Sequence, residues 1–439
     1  MKRILFIQPS WYDARGELVK SKIGHTPGRA LPYIAALTPP KYEVRIIDEV
    51  LSGVRFDEAA DLVALTGMVR HIPRAIDISR EFRRRGKKTI IGGVAAYALH
   101  DAVQKEFDAH VDGEVDEQWP QILDDFERGR LQPYYKIDRL PELTNMPIPR
   151  YELLPMDRYI KPLHNRAQPI ISIETSRGCP HSCSYCLVSQ YLGRKVRYRP
   201  IGDVVEEIKR MRSKVISFAD DNLLIDPSRG RELLKALKPL GIRWFAQCES
   251  SIIRHPDLLD LARDSGCLMM LIGIESTNPD NLVSLNKKAL SKFSLEEIAH
   301  TLRDHGVPLF ASMIFGLDYD TPESIQASFH ELNRLEVPLL APWVLTPVPR
   351  TALHANLERE GRILHKNYSL YDYVSVVIRP KRMSSQVLEK TFWKGCRQFY
   401  SRRNTLRILL KSKVFPFHLA VVHAVYSARI RHDKHPSIF

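Results

Sequence analysis

The chain has 439 residues, enough for two or three domains, and its 44% hydrophobic and 26% charged content is that of a globular protein rather than a disordered or fibrous one. Six cysteines in this length are too few for a disulfide framework and point to a reducing compartment. The net charge of +14 is concentrated near the C-terminus, where residues 379–439 hold fourteen Lys/Arg against Glu389 and Asp433, a balance of +12.

The N-terminal run Met1–Ile7 puts two basic residues before four apolar ones. That apolar core is too short for a signal peptide and reads as a first strand. No stretch of about 18 apolar residues occurs, so no transmembrane helix is expected. Residues 4–7, 44–47, 62–65, 89–91 and 109–111 form further short apolar runs, with helical patterns such as 76–85 between them. Strands alternating with helices predict an α/β fold with a doubly wound parallel sheet over residues 1–135. Ligands of such sheets bind beyond the carboxyl ends of the strands. Gly92 and Gly93 follow one strand and Gly113 the next. These glycines either let backbone approach a ligand or simply make tight turns. Residues 136–167 are proline-rich with little periodicity and read as a linker.

The run Arg177-Gly-Cys-Pro-His-Ser-Cys-Ser-Tyr-Cys-Leu187 carries the strongest chemical signal. Cys179, Cys183 and Cys186 have Cys-x3-Cys-x2-Cys spacing with no fourth cysteine nearby. A cube of four irons ordinarily takes four thiolates, so three leave one iron open to another ligand. The alternative, a zinc knuckle, would call for paired Cys-x2-Cys or His spacing to complete four ligands. The motif, with aromatic Tyr185 before the last cysteine, resembles that of the radical S-adenosylmethionine (SAM) superfamily. The resemblance implies a 4Fe-4S cluster on Cys179, Cys183 and Cys186. It also implies SAM on the open iron, cleaved reductively to a 5′-deoxyadenosyl radical.

From residue 168 the alternation resumes, with strand candidates at 169–173, 215–218, 244–246, 269–274, 308–315 and 339–345. Six β/α units over residues 168–378 suit a partial parallel barrel, with chemistry on loops beyond the strands' C-terminal ends. Polar groups end several strands: Asp220 and Asp221, then Gly273 and Glu275, then Ser312 and Gly316. A SAM ammonium calls for an acceptor, which the resemblance assigns to Asp220 or Asp221, and its ribose hydroxyls suit Glu275. Asp220 and Asp221 read otherwise as a helix cap, and Glu275 as half of an ion pair. Gly273 and Gly316 are expected to admit the adenosyl group closely, or else to serve packing.

A doubly wound domain ahead of such a barrel resembles the cobalamin-binding radical SAM enzymes. The runs Leu65–Met68, Ile91–Gly93, Val111–Glu114 and Trp119–Pro120 carry that resemblance. Asn286–Lys287, Gly316–Asp318 and Thr346–Arg350 are similar to the branch that methylates hopanoids and other isoprenoids. It implies cobalamin-dependent methylation of an unactivated carbon on a lipid, isoprenoid or other secondary metabolite. One motif misleads: Asp108–Gly113 fits Asp-x-His-x-x-Gly, by which other cobalamin proteins supply an axial histidine. Here it follows the Gly92-Gly93 turn instead of preceding it, and residues 8–23 contain no histidine. Cobalamin is therefore expected without a protein histidine on cobalt, with Val69–His71 either near its lower face or in a solvated loop.

Two rival readings are a cobalamin-free ring-forming, coupling or dehydrating enzyme, and a zinc-stabilised binding module. A tRNA methylthiotransferase is disfavoured because no cysteine precedes Cys179. Cys248, Cys267 and Cys396 are scattered and read as small core hydrophobes. In residues 379–439, Leu406, Leu409, Leu410, Val414, Phe417, Val421, Val425 and Tyr426 recur near helical spacing around Pro416, with Lys411, Lys413, Arg429 and Arg431 beside them. A basic amphipathic segment can lie on an anionic membrane, and equally can be a helix pair docked on the barrel. The expected partners are a small-molecule or lipid substrate and a reductant such as flavodoxin or ferredoxin. Nucleic acid is not expected, since no RNA-binding motif accompanies the charge. The expected location is the cytoplasm, with peripheral contact at the inner membrane face.

Overall fold

The structure, a computed structural model, describes residues 1–161, 168–287, 292–411 and 416–431. Lys413, Val414 and the end of the expected linker lie outside the described residues, as do the side chains of Lys411, Phe417, Val421, Arg429 and Arg431.

Six parallel strands form the first sheet: β1 (Lys2–Gln8), β2 (Tyr42–Asp48), β3 (Leu62–Leu65), β4 (Lys88–Ile91), β5 (Ala109–Asp112) and β6 (Tyr134–Lys136). Their order is β2-β1-β3-β4-β5-β6, which reverses direction between β1 and β3. That topological switch opens a crevice beyond the carboxyl ends of β1 and β3. The strands read as apolar runs because helices cover both faces. Ile4 and Phe6 enter one apolar core while Leu5 and Ile7 enter the other.

Residues 137–161 form a strap with two short 3-10 turns, Tyr151–Leu153 and Met156–Arg158. Tyr151 is buried and donates to the carbonyl of Ser172 (2.9 Å). The strap is thus tied to the second sheet rather than loosely solvated.

The second sheet also has six parallel strands: β7 (Ile171–Ile173) and then, after a small antiparallel hairpin of β8 (Ser176–Arg177) and β9 (Arg197–Tyr198), β10 (Val215–Phe218), β11 (Arg243–Cys248), β12 (Cys267–Glu275), β13 (Leu309–Phe315) and β14 (Leu339–Val344). The strands lie side by side in chain order from β7 to β14, and β7 and β14 do not pair, which is the form of an open partial barrel. The two halves share their cores: Leu65 and Ile91 of the first half cluster with Leu345, Tyr371 and Val377 of the second.

The C-terminal helices dock on the barrel. Tyr400, at the end of helix Ser385–Phe399, accepts from Leu340 N (3.1 Å) and donates to Leu340 O (2.6 Å), satisfying backbone of edge strand β14. Ile408, in helix Arg402–Lys411, packs on Phe310, Leu339 and Ala341, and Tyr426 of helix Pro416–Arg431 is 1% exposed. Leu406 and Leu410 remain exposed beside exposed Arg402, Arg403 and Arg407. No helix among the described residues is long and apolar enough to cross a membrane.

Candidate functional site

The C-terminal ends of the barrel strands and the loop after β3 converge on one cavity of about 730 Å³. Cys179, Cys183 and Cys186 line it, on the loop that leaves β8. That loop is fixed at several points. Gly178 has φ +99, and a Cβ there would lie 2.5 Å from the carbonyl of Lys195, so only glycine fits. Cys179 N donates to Gly193 O (3.1 Å), Ser184 N to Leu285 O (3.0 Å), and Asn286 Nδ2 to Ser182 O (2.9 Å). Burial raises the pKa of all three thiols, that of Cys186 to about 12. Bound metal relieves such a penalty, because the thiolate then faces a cation. A cube takes one thiolate per iron, so three cysteines lining one cavity would leave its fourth iron open there.

The two aspartates that end β10 part ways. Asp220 is 1% exposed, and its carboxylate accepts from Thr175 N (3.0 Å), Thr175 Oγ1 (2.7 Å) and Ser176 Oγ (2.5 Å). It ties the backbone after β7 and does not line the cavity. Asp221 lines the cavity and makes no hydrogen bond to another side chain among the described residues. Burial, then the neighbouring Asp220 and Glu174, raise its pKa to about 7.

Glu275, at the end of β12, lines the cavity with φ +63, a left-handed conformation uncommon outside glycine and asparagine. Its Oε1 accepts from Tyr185 OH (2.9 Å) and Lys287 Nζ (2.5 Å), and Lys287 also donates to Gly273 O (2.9 Å). A Cβ on Gly273 would meet the Glu275 carboxylate at 2.5 Å and Lys287 Nζ at 2.6 Å, so this glycine makes room for the ion pair. Ser312 lines the same wall and accepts from Trp343 Nε1 (3.0 Å).

Other glycines lie elsewhere. Gly316 does not line the cavity; its missing side chain admits Leu388, whose Cδ2 would be 2.6 Å from a Cβ there. Gly113 (φ +128) faces the carbonyl of Ile137 at 2.4 Å from a notional Cβ, which is packing against the strap. Gly93 (φ +92) turns beside Thr66, whose Oγ1 donates to Gly92 O (3.0 Å). Gly92 and Gly93 sit at the carboxyl edge of β4 and do not line the cavity.

The first half contributes Met68 and Arg70, on the loop after β3 beside the topological switch. The Arg70 guanidinium lies 4.0 Å over the ring of Trp11, on the loop after β1. His71 is 3% exposed and turned inward, accepting from Met68 N (2.9 Å). His110 is inside β5, against His100 (Nδ1 to Nδ1, 3.2 Å) and Tyr134, away from the cavity.

Lys287, Glu249, Trp343 and the segment Tyr371–Tyr373 line the site without having been singled out from sequence for it. Glu249 follows β11 and pairs with His181 of the cysteine loop. Its position at a strand end was the available signal. Tyr373 (φ +66) had none, because it returns from a non-barrel segment to stack edge-on against Trp343 (6.0 Å).

Residues 173–332 match the model of the Radical SAM superfamily. The chain is 29% identical to the bacteriochlorophyllide d C-12(1)-methyltransferase of Chlorobaculum tepidum over 84% of its length and 81% of that protein. It is 28% identical to the hopanoid C-2 methylase of Rhodopseudomonas palustris over 83% of its length and 71% of that protein. Among solved structures, it is similar to the radical SAM methyltransferase TsrM of Kitasatospora setae, with a TM-score of 0.62 at 16% identity, covering 82% of this chain and 75% of that one.

Proposed function

We propose that this chain, a radical SAM enzyme, is a cobalamin-dependent C-methyltransferase acting on an unactivated carbon of a large, mostly apolar ring-bearing substrate, of which an isoprenoid lipid is the leading candidate. The observation that carries the reading is the shared cavity, where three cysteines, Asp221 and Glu275 meet Met68 and Arg70 of the other half. The relatives named as methyltransferases of a bacteriochlorophyllide and of a hopanoid support carbon methylation of bulky ring systems. The TsrM structure holds cobalamin and a 4Fe-4S cluster on a similar fold.

On this reading Cys179, Cys183 and Cys186 hold the cluster. Asp221 takes the SAM ammonium, which offsets the burial that otherwise favours its neutral form. Glu275 accepts the ribose hydroxyls through Oε2, since both of its bonds among the described residues fall on Oε1. Tyr185 and Lys287 hold that carboxylate in place. When bound, the cluster with SAM supplies homolytic hydrogen abstraction, and the corrin supplies a transferable methyl group. The chain's own task is to hold these reactants in register and keep water from them. A corrin over the β1–β3 crevice would meet Met68 and Arg70 and no protein histidine, since neither His71, which is buried with Nδ1 held by Met68 N, nor His110, inside β5, lines the cavity. Phe245, Phe310, Trp343 and Tyr373 would face an apolar substrate. The exposed Leu406 and Leu410 beside three arginines suit peripheral contact with an anionic membrane, from which a lipid substrate would be drawn.

Anaerobic reconstitution tests the reading. Bound iron, the absorbance of bound corrin and SAM-dependent formation of 5′-deoxyadenosine should appear together. A protein that cleaves SAM yet binds no corrin would instead be a cobalamin-free radical enzyme. Methyl transfer to a hopanoid but not to a chlorin, or the reverse, assigns the substrate.

A further inference from the structure

The hairpin that launches the cysteine loop carries an electrostatic conflict. β8 and β9 pair antiparallel with Arg177 directly opposite Arg197. Like charges at such positions repel, and here both side chains are buried, 8% and 9% exposed. The one carboxylate that bonds both arginines among the described residues comes from the other half of the molecule. Glu114, which follows β5 and is 4% exposed, accepts from Arg177 Nη1 (2.6 Å), Arg197 Nη1 (3.2 Å) and Arg197 Nη2 (2.5 Å). Asp116 adds two bonds to Arg177 Nη1 (3.0 and 2.9 Å), and Glu174 pairs with Nη2 (3.0 Å). Tyr191, just past the cysteine loop, donates to the carbonyl of Gly113 (3.1 Å).

We propose that Glu114 is a positioning residue for the cysteine loop: by bridging Arg177 and Arg197 it lets the first half of the chain set the geometry of the iron–sulfur site. The transmission has no slack. Arg177 is joined to Cys179 by one residue, Gly178, whose backbone is fixed by its positive φ and by Lys195. Cys179 is itself bonded to Gly193, on the strand-side return to Arg197. Removing the negative charge leaves two buried guanidinium groups facing each other with a smaller share of carboxylate. Arg177 would keep Asp116 and Glu174, but Arg197 would keep, among the described residues, only the carbonyls of Pro141 (2.7 Å) and Leu192 (3.0 Å), so the register of the hairpin that launches Cys179 would loosen.

The proposal rests on the reading that Cys179, Cys183 and Cys186 hold the cluster. Reconstituted wild type with no 4Fe-4S signal would defeat that reading itself, and the proposal with it. With the wild-type signal present, Glu114→Gln is compared with Glu49→Gln. Glu49 is an equally buried carboxylate of the first half, and its partners among the described residues, Arg74 and Ser10, belong to that half too. Two readouts are used: the electron paramagnetic resonance spectrum of the reduced cluster with and without SAM, and the rate of iron loss to a chelator. Glu114→Gln should alter the spectrum and lose iron on the order of 10-fold faster, the lower end of what partners behind metal ligands contribute. Glu49→Gln should change neither. Wild-type spectra and iron-loss rates in Glu114→Gln would overturn the proposal, as would the same change in both variants. If Glu114→Gln cannot be isolated folded, Arg197→Lys keeps the charge but loses the two-pronged contact. It should show the same spectral change, and a wild-type spectrum there overturns the proposal.

Discussion

Asp220 and Asp221 are adjacent and chemically identical, but only Asp221 lines the cavity, so substituting each with asparagine tests the proposed ligand role of one against the other. In Asp221→Asn a carboxyl whose pKa is raised from 3.8 to about 7 is replaced by a group that cannot ionise. The sign follows from linkage: the folded state binds the proton more tightly than the unfolded state, so wild-type stability falls as pH rises from 3.8 toward 7. At 1.36 kcal/mol per tenfold in proton affinity the ceiling is about 4 kcal/mol, reduced because the carboxylate faces the cavity. The apo variant should therefore match wild type near pH 4 and exceed it in urea unfolding at pH 8. On SAM binding the order reverses. Loss of a charge-assisted bond to the ammonium, about 1.5–3 kcal/mol, weakens binding roughly 10- to 150-fold. Asp220→Asn loses about 1.5–3 kcal/mol for each charge-assisted bond to Thr175 or Ser176 that the amide cannot accept, but it also relieves the burial that raises the Asp220 pKa, so SAM affinity, which it should leave unchanged, is what separates it from Asp221→Asn. Titration calorimetry with SAM on the reconstituted protein and anaerobic urea melts at two pH values measure both. Wild-type SAM affinity in Asp221→Asn, or an equal loss of SAM affinity in Asp220→Asn, would refute the assignment.

Cys179→Ala, Cys183→Ala and Cys186→Ala should each abolish reductive SAM cleavage, whereas Cys248→Ala, Cys267→Ala and Cys396→Ala should retain full cluster iron; a full cluster in any of the first three contradicts the ligand set. The Co(II) form should lack nitrogen superhyperfine splitting from a protein histidine, and splitting that disappears in His110→Ala would show that the enclosed histidine reaches cobalt. Leu406→Ser/Leu410→Ser should reduce flotation with anionic liposomes while leaving SAM cleavage and the melting temperature unchanged, because both side chains are exposed; equal flotation with neutral lipid would remove the electrostatic part. Deleting residues 405–439 is a poorer test, since Ile408, Tyr426 and Ile430 are buried and their loss strips the barrel of a docked face.

Much of the architecture was legible in the sequence because parallel strands covered on both faces must be apolar throughout. Ile4–Ile7, Leu62–Leu65 and Val215–Phe218 announced themselves in this way. The misses share a cause. β6 is three residues at a sheet edge, with Tyr134 and Lys136 exposed, and the β8–β9 hairpin is two residues a side and rich in arginine. None of these buries enough apolar surface to leave a pattern. The cysteine motif was legible because its spacing is local. Which aspartate faces the cavity was not, since it depends on where Thr175 and Ser176 arrive from another strand end. The same holds for Gly316, whose neighbour Leu388 comes from a helix 72 positions later in the chain.

The topology explains why one cavity serves both halves. Each sheet offers ligands the carboxyl ends of its strands, and the shared cores bring the end of β3 to the barrel mouth. Arg350 donates to Asp112 (3.4 Å) and Arg29 pairs with Glu207 (2.5 Å), so further buried or half-buried ion pairs cross the same boundary. Buried pairs of this kind contribute little net stability, because desolvation offsets their attraction, but a mismatched docking would strand each charge without its partner. Their effect is therefore on register. Transfer between a group held on one half and a carbon held on the other tolerates little misplacement, with about 1 Å costing on the order of 100-fold in rate. Directional, charge-assisted contacts from Glu114, Asp112 and Glu207 add to the shared apolar packing in fixing that register.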